Sequence, residues 1–233
     1  MCFVVVTCRS LLWTLLTLVS TLVIVASVIT PQWLIGQARR ENVRYGTTSP
    51  TETGDDDGVF RPTLGIYNRC TRLHMFNDYS TKNCAPYVTK FTMTDDEFPH
   101  VWKAVLILFC LSGLMLTFTV ITAIVSLCFR SMCKKDIFTL TGLLQSLSGL
   151  LLILALVLYP AGWGSMRVQR VCGLESSLYY MGNCDLGWAF YSCIGGTVLV
   201  IICAMLSIQA SAATSSRKVE EQIMQGRNPI CVL

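Results

Sequence analysis

Cysteines carry most of the chemistry open to this chain. Of the 12 in 233 residues, Cys70 and Cys84 share one polar stretch between apolar runs, and Cys172 and Cys184 share another. Thiols so placed fit disulfides formed in an oxidising compartment. Four cysteines allow three pairings, and proximity alone favours the local bridge in the second stretch. A bridge from Cys70 to Cys84 would stabilise its loop by roughly 3 kcal/mol on the chain-entropy model. Cys2, Cys8, Cys128 and Cys133 lie at the opposite ends of the apolar runs. There they would be reduced and open to fatty acylation, although an unmodified interfacial thiol is the plainer reading of each. Cys110, Cys193 and Cys203 fall inside the runs and read as packing residues.

Other reactive groups are sparse. His74 and His100 are the only histidines, and two loop histidines are more often solvated than metal-bound. Asp55, Asp56 and Asp57 lack the spacing of a calcium loop and read as a solvated turn. No glycine-rich phosphate loop and no activated Ser or Cys motif is present. The expectation is a non-enzymatic protein with no cofactor and no metal. A net charge of +4, spread along the chain, gives no footprint for nucleic acid.

The elements that position these residues are membrane spans. The chain is 53% hydrophobic and 14% charged, with a mean hydropathy of +0.56, far from soluble averages. Four runs without Asp, Glu, Lys, Arg or His occur at about 11–30, 104–127, 137–159 and 188–208. Each has the length to cross a bilayer as a helix, which satisfies its own backbone in lipid. The first reads as an uncleaved signal anchor: it exceeds a typical signal core and lacks a clean small-x-small site after it. Lipid is therefore the first partner. The spans hold no ionisable group for a proton relay or ion path, which disfavours a channel.

Arg130, Lys134 and Lys135 in the short second connection, and Arg9, Arg217, Lys218 and Arg227 in the tails, favour cytoplasmic termini. Arg167 and Arg170 in the fourth segment's preceding loop run against that rule. The expectation is one tetraspan domain over 1–233, with outer loops 32–100 and 160–187 and a cytoplasmic tail at 211–233. Plasma membrane is the expected location.

Within the first outer loop, residues 37–60 are polar and read as a flexible insertion. The β-formers of 63–70 predict a strand running into Cys70, and 87–91 a second strand. Thr94-Asp95-Asp96-Glu97 matches a helix capping box. Trp33, Trp102, Trp163 and Trp188 fall at the outer ends of the spans and read mostly as an interfacial belt, with Trp33-Leu34-Ile35-Gly36 also a candidate start of the outer sheet. Gln145, deep in the third span, is expected to bond a neighbouring helix. Gly142 with Ser146, and Ser192 with Gly196, have the spacing of close helix contacts. At the C-terminus, Ile230 occupies the position a prenylation box gives to Cys, and Leu233 makes only a weak sheet-adding end.

The order Trp33, Gly65-Ile66-Tyr67-x-x-Cys70, Cys84 resembles the claudin-superfamily signature of a Trp, then Gly-Leu-Trp-x-x-Cys, then a second Cys. Ile66 and Tyr67 stand where that signature has Leu and Trp. Longer strings resemble the lipoma HMGIC fusion partner-like tetraspan family, and within it the type-2 branch. They include Cys8-Arg9-Ser10-Leu11-Leu12-Trp13, Trp33-Leu34-Ile35-Gly36, Tyr159-Pro160-Ala161-Gly162-Trp163-Gly164 and Leu186-Gly187-Trp188-Ala189-Phe190-Tyr191. The resemblance implies an all-α membrane protein with a small extracellular β-sheet, a claudin-like four-transmembrane-helix bundle of left-handed sense. It implies an accessory or scaffolding subunit that assembles, traffics or anchors a larger membrane protein such as a receptor, channel or adhesion protein, with a developmental role in the type-2 branch. A claudin-like adhesion or barrier protein, contacting copies of itself, is the alternative.

Overall fold

Long stretches without charge become helices here because lipid offers the backbone no partner but itself. The computed structural model describes residues 5–37, 39–40, 59–70, 84–86, 100–128, 136–214 and 230–232. A short strand, β1 (Val5–Thr7), leads into α1 (Cys8–Ile29). The first connection carries β2 (Leu34–Ile35), β3 (Arg39–Arg40), β4 (Val59–Phe60), β5 (Thr63–Leu64), β6 (Asn68–Cys70) and β7 (Cys84–Pro86). Next come α2 (His100–Cys128) and α3 (Asp136–Leu158), then a 3-10 turn at Tyr159–Gly164 and the short α4 (Met166–Cys172). The chain continues through β8 (Asp185–Leu186), α5 (Trp188–Thr214) and β9 (Ile230–Val232).

Four helices are long and apolar enough to cross a membrane: Cys8–Ile29, His100–Val125, Thr139–Gly164 and Trp188–Ser211. They overrun the charge-free runs because helical hydrogen bonding does not stop at the lipid edge. Arg9 thus rides the first turn of α1, and His100 and Lys103 that of α2. α1 packs against α2 and α5, and α3 packs against α2 and α5, which closes a ring of four.

The bundle is inverted relative to a soluble one. On α1 the buried positions are Ser10, Trp13, Thr14, Thr17, Ser20, Thr21, Ile24 and Ser27, recurring every three or four residues on one face. Leu11, Leu12, Leu15, Leu18, Leu22 and Ile29 lie exposed on the other. Lipid tails welcome the leucines, so small hydroxylated residues go inside, where they let helices approach. Their hydroxyls fold back on their own helix: Thr14 donates to the Ser10 carbonyl at 2.9 Å, Thr17 to Trp13 at 2.8 Å and Thr21 to Thr17 at 2.8 Å. Two glycines serve the same packing. A Cβ on Gly142 would strike the Ser207 hydroxyl, and one on Gly196 would come within 2.8 Å of Ile24. Ser146, by contrast, is exposed.

At one end of the bundle a five-stranded antiparallel sheet runs in the order β7-β6-β5-β2-β8. β2, leaving α1, pairs Leu34 with Leu64 on one side and with Leu186 on the other. Both connections therefore enter one sheet. The single strand expected over 63–70 is instead two, β5 and β6, folded into a hairpin. Gly65 breaks the run: its N–H donates to the Asn68 carbonyl at 2.8 Å, and a Cβ there would meet Pro31 Cα at 2.8 Å. The strand opposite β6 starts at Cys84, and 87–91 lies outside the described residues. The capping box at Thr94–Glu97 and the acidic run at Asp55–Asp57 also lie outside them. The insertion expected to be flexible over 37–60 has paired ends: β3 and β4 run antiparallel, with Arg39 opposite Phe60.

At the other end, β1 and β9 form a parallel pair in which Val6 faces Cys231. The tail thus returns to the segment that precedes the first span.

Candidate functional site: a disulfide-closed sheet on an aromatic layer

Trp33 follows α1 by four residues and is fully buried beneath the sheet. Its Nε1 donates to the Ser27 carbonyl at 2.7 Å, at the end of α1. Its ring meets Tyr159 edge-on at 4.9 Å, Phe190 at 5.7 Å and Phe109 at 5.8 Å. One indole therefore touches rings from α2, the 3-10 turn after α3, and α5. Trp102 stacks on Tyr159 with centroids 5.3 Å apart and planes 14° apart, and donates to the Tyr159 carbonyl at 3.1 Å. Trp163 closes the layer, edge-on to Tyr159 at 6.1 Å. Such ring pairs add to the burial of the rings themselves.

This corrects the interfacial-belt reading for Trp102 and Trp163, whereas Trp33 leads directly into β2. Trp33, Trp102 and Trp163 are buried, and Trp188 alone of the four end tryptophans stays half exposed, bonded to the Gln32 side chain. The physical reason is that Trp33 and Trp102 find backbone carbonyls for their N–H groups inside the protein, so they need no water.

Backbone bonds fix the sheet to this layer. Gly187 N–H donates to the Trp33 carbonyl at 2.8 Å, Ala189 N–H to Gln32 at 3.3 Å and Gly36 N–H to Pro62 at 2.8 Å. A Cβ on Gly187 would collide with the Gln32 carbonyl, so only glycine permits this approach. Asn68 Nδ2 donates to the Ile29 carbonyl at 2.9 Å, satisfying one of the open acceptors at the end of α1.

Two disulfides close the loops. Cys70 and Cys84 are bonded directly across β6 and β7. Cys172 and Cys184, both buried, join the end of α4 to the residue before β8. Of the signature residues, Trp33, Gly65 and Ile66 are buried, while Tyr67 is 41% exposed on the turn between β5 and β6. Cys8 is a free, exposed thiol at the first residue of α1. Cys128 is the last residue of α2, and so lies at the same end of the bundle. Cys2, Cys133 and His74 fall outside the described residues. Among the described residues, no group of three His, Cys, Asp or Glu side chains could hold a metal ion.

Sequence reasoning missed Tyr159, Phe109 and Phe190 as the platform of Trp33. The only signal was the string Tyr159-Pro160-Ala161-Gly162-Trp163, in which Gly162 leaves just the space the Trp102 ring fills.

Four apolar spans capped by a disulfide-closed antiparallel sheet define a multi-pass membrane protein of claudin-like build. A family model described as "Lipoma HMGIC fusion partner-like protein" matches residues 9–209. The chain belongs to that family. It is 43% identical to the LHFPL tetraspan subfamily member 2a protein of Danio rerio over 233 residues, the full length of both chains. It is also 43% identical to the LHFPL tetraspan subfamily member 2 protein of Homo sapiens, again over the whole of both. Similarity to the subfamily member 4 protein of Mus musculus is lower: 24% identity over 84% of this chain and 69% of the relative.

Proposed function

We propose that this protein is an accessory subunit of a larger membrane protein, held in the plasma membrane with both termini cytoplasmic and the five-stranded sheet outside. One tetraspan domain over 1–233 does the work. The observation that carries the reading is Tyr67. Its neighbours in the signature, Gly65 and Ile66, are buried, yet the tyrosine at the tip of the same turn faces outward. Tyrosine is a frequent anchor in protein interfaces because it offers a large rigid face and one hydroxyl at low entropy cost. The sheet beneath it is rigid, being bridged by Cys70–Cys84 and seated on Trp33. Small residues on the helices, and an exposed Cys8 open to acylation on the cytoplasmic side, suit a protein that is sorted and assembled rather than one that reacts.

The test is to crosslink an epitope-tagged copy in native cells, purify it in mild detergent and identify what accompanies it, beside Tyr67→Ala at equal surface level. The expected result is a stoichiometric receptor, channel or adhesion protein that Tyr67→Ala releases. Recovery of the chain alone, as multimers bridging cells, would instead establish claudin-like adhesion.

A further inference from the structure

The connection between α4 and β8 carries a turn that ordinary solvent exposure does not explain. Ser177 and Tyr180 exchange both backbone bonds, at 2.9 and 3.0 Å, leaving Leu178 and Tyr179 as the two tip residues. Tyr179 holds φ at +60°, the left-handed region that glycine, asparagine or aspartate normally fills at a tip. Here the tip is a leucine and a tyrosine, 64% and 54% exposed. Tyr180 and Leu174 beside it are exposed as well.

The tip does not stand clear of the bundle. The Tyr179 hydroxyl donates to the Val157 carbonyl at 3.2 Å, and the Tyr179 N–H to the Pro160 carbonyl at 3.2 Å. Val157 belongs to the last turn of α3, inside the apolar span. It is also the end of an exposed stripe, Leu150, Leu154 and Val157, at helical spacing on the surface that lipid covers. The tip therefore lies at the depth of the last turn of a span and continues that span's lipid-facing stripe. Arg170 is exposed on the last turn of α4, in the same loop. It is one of the two arginines that run against the charge rule for an outer loop. An amphipathic element with tyrosine, leucine and arginine is the composition that rests at a headgroup boundary, ring and alkyl stem down and guanidinium up.

We propose that the turn of Leu178 and Tyr179, flanked by Leu174 and Tyr180, is a lipid anchor seated at the headgroup–acyl boundary of the leaflet on the sheet side. Its occupant is the phospholipid leaflet that covers the Leu150, Leu154 and Val157 stripe of α3. The left-handed backbone at Tyr179 aims the ring back along α3 so that both tip residues enter the leaflet. The anchor does not depend on the accessory reading.

The test uses the full, unaltered chain in phosphatidylcholine vesicles containing a phosphatidylcholine with a diazirine on its acyl chain. After illumination, the label is located by fragmentation of proteolytic peptides. The expected result is label on residues 178–180 at a yield comparable to Leu150 and Leu154, with little on exposed Glu175. Label confined to the four spans would overturn the proposal, as would chain-to-chain adducts through the tip. Leu178→Glu and Tyr179→Gly, both surface changes, should lose most of the tip label while leaving the label on Leu150 unchanged. Retention of tip label in both would equally overturn it.

Discussion

The indole of Trp13 and the carboxamide of Gln145, 132 residues apart, meet at 3.2 Å in the interior of the bundle. The same indole reaches the Cys203 carbonyl at 3.1 Å, and Gln145 Nε2 donates to the Thr17 hydroxyl at 2.9 Å. α1, α3 and α5 thus share one uncharged polar node. It sits toward the end where α1 begins, opposite the aromatic layer around Trp33. Two pins at the two ends fix how the helices are rotated against one another, which apolar packing in lipid specifies poorly.

Gln145 is therefore a specificity residue more than a stabilising one. Gln145→Leu should cost about 1 kcal/mol, because Trp13 keeps the Cys203 carbonyl and Thr17 keeps its own back-bond. Gln145→Lys buries a cation at the same place and should cost about 3 kcal/mol. Thermal unfolding of the purified variants in mild detergent reads both. Equal losses in the two variants would show that the node is not closed to water.

Trp33 carries a larger load. Trp33→Ala removes a buried ring with three aromatic neighbours and should cost about 4 kcal/mol, enough to retain the protein inside the cell. Trp33→Phe keeps most of the packing and gives up chiefly the bond to the Ser27 carbonyl, about 1 kcal/mol. Surface biotinylation should rank wild type above Phe and Phe far above Ala. A Phe variant as deficient as Ala would make the hydrogen bond, not the packing, the anchor.

The spans were readable because charge-free runs of bilayer length have one stable conformation in lipid. The disulfides' loops were readable because each polar stretch between charge-free runs on the sheet side holds two cysteines. The sheet was readable only in part. Gly65 sits within a run of β-formers, and nothing local says that it folds the run into two strands; that depends on Pro31, some thirty residues away, leaving no space for a Cβ. Trp102 and Trp163 were misread for a related reason. A tryptophan at a span end looks the same whether its N–H meets water or a carbonyl of another helix, and Trp102 meets Tyr159. The pairing of β1 with β9 joins residues more than two hundred apart and left no pattern in either segment.

That pairing makes its own prediction. A two-stranded sheet is marginal in water, so its protection should depend wholly on the partner strand. Deleting residues 230–233 should raise amide hydrogen exchange at Val5–Thr7, while exchange in the interior of α1 stays slow. Unchanged exchange at Val5–Thr7 would mean that the strand is held by something other than the tail.

Gly187 and Gly195 offer a paired test of the sheet's seat. Gly187 immediately precedes α5 and Gly195 lies within it. A Cβ at Gly187 would strike the Gln32 carbonyl and push Gly187 N–H off the Trp33 carbonyl, whereas a Cβ at Gly195 meets nothing within 4 Å. Gly187→Ala should therefore cost about 2 kcal/mol and lower the unfolding temperature by about 4–8 °C for a chain of this size. Gly195→Ala adds a methyl on a lipid-facing surface and raises helix propensity, so it should be neutral or slightly stabilising. Thermal unfolding in mild detergent compares them directly. A neutral Gly187→Ala would show that the connection into α5 rides loosely on Trp33, and the sheet would then be a hinge rather than a fixed platform.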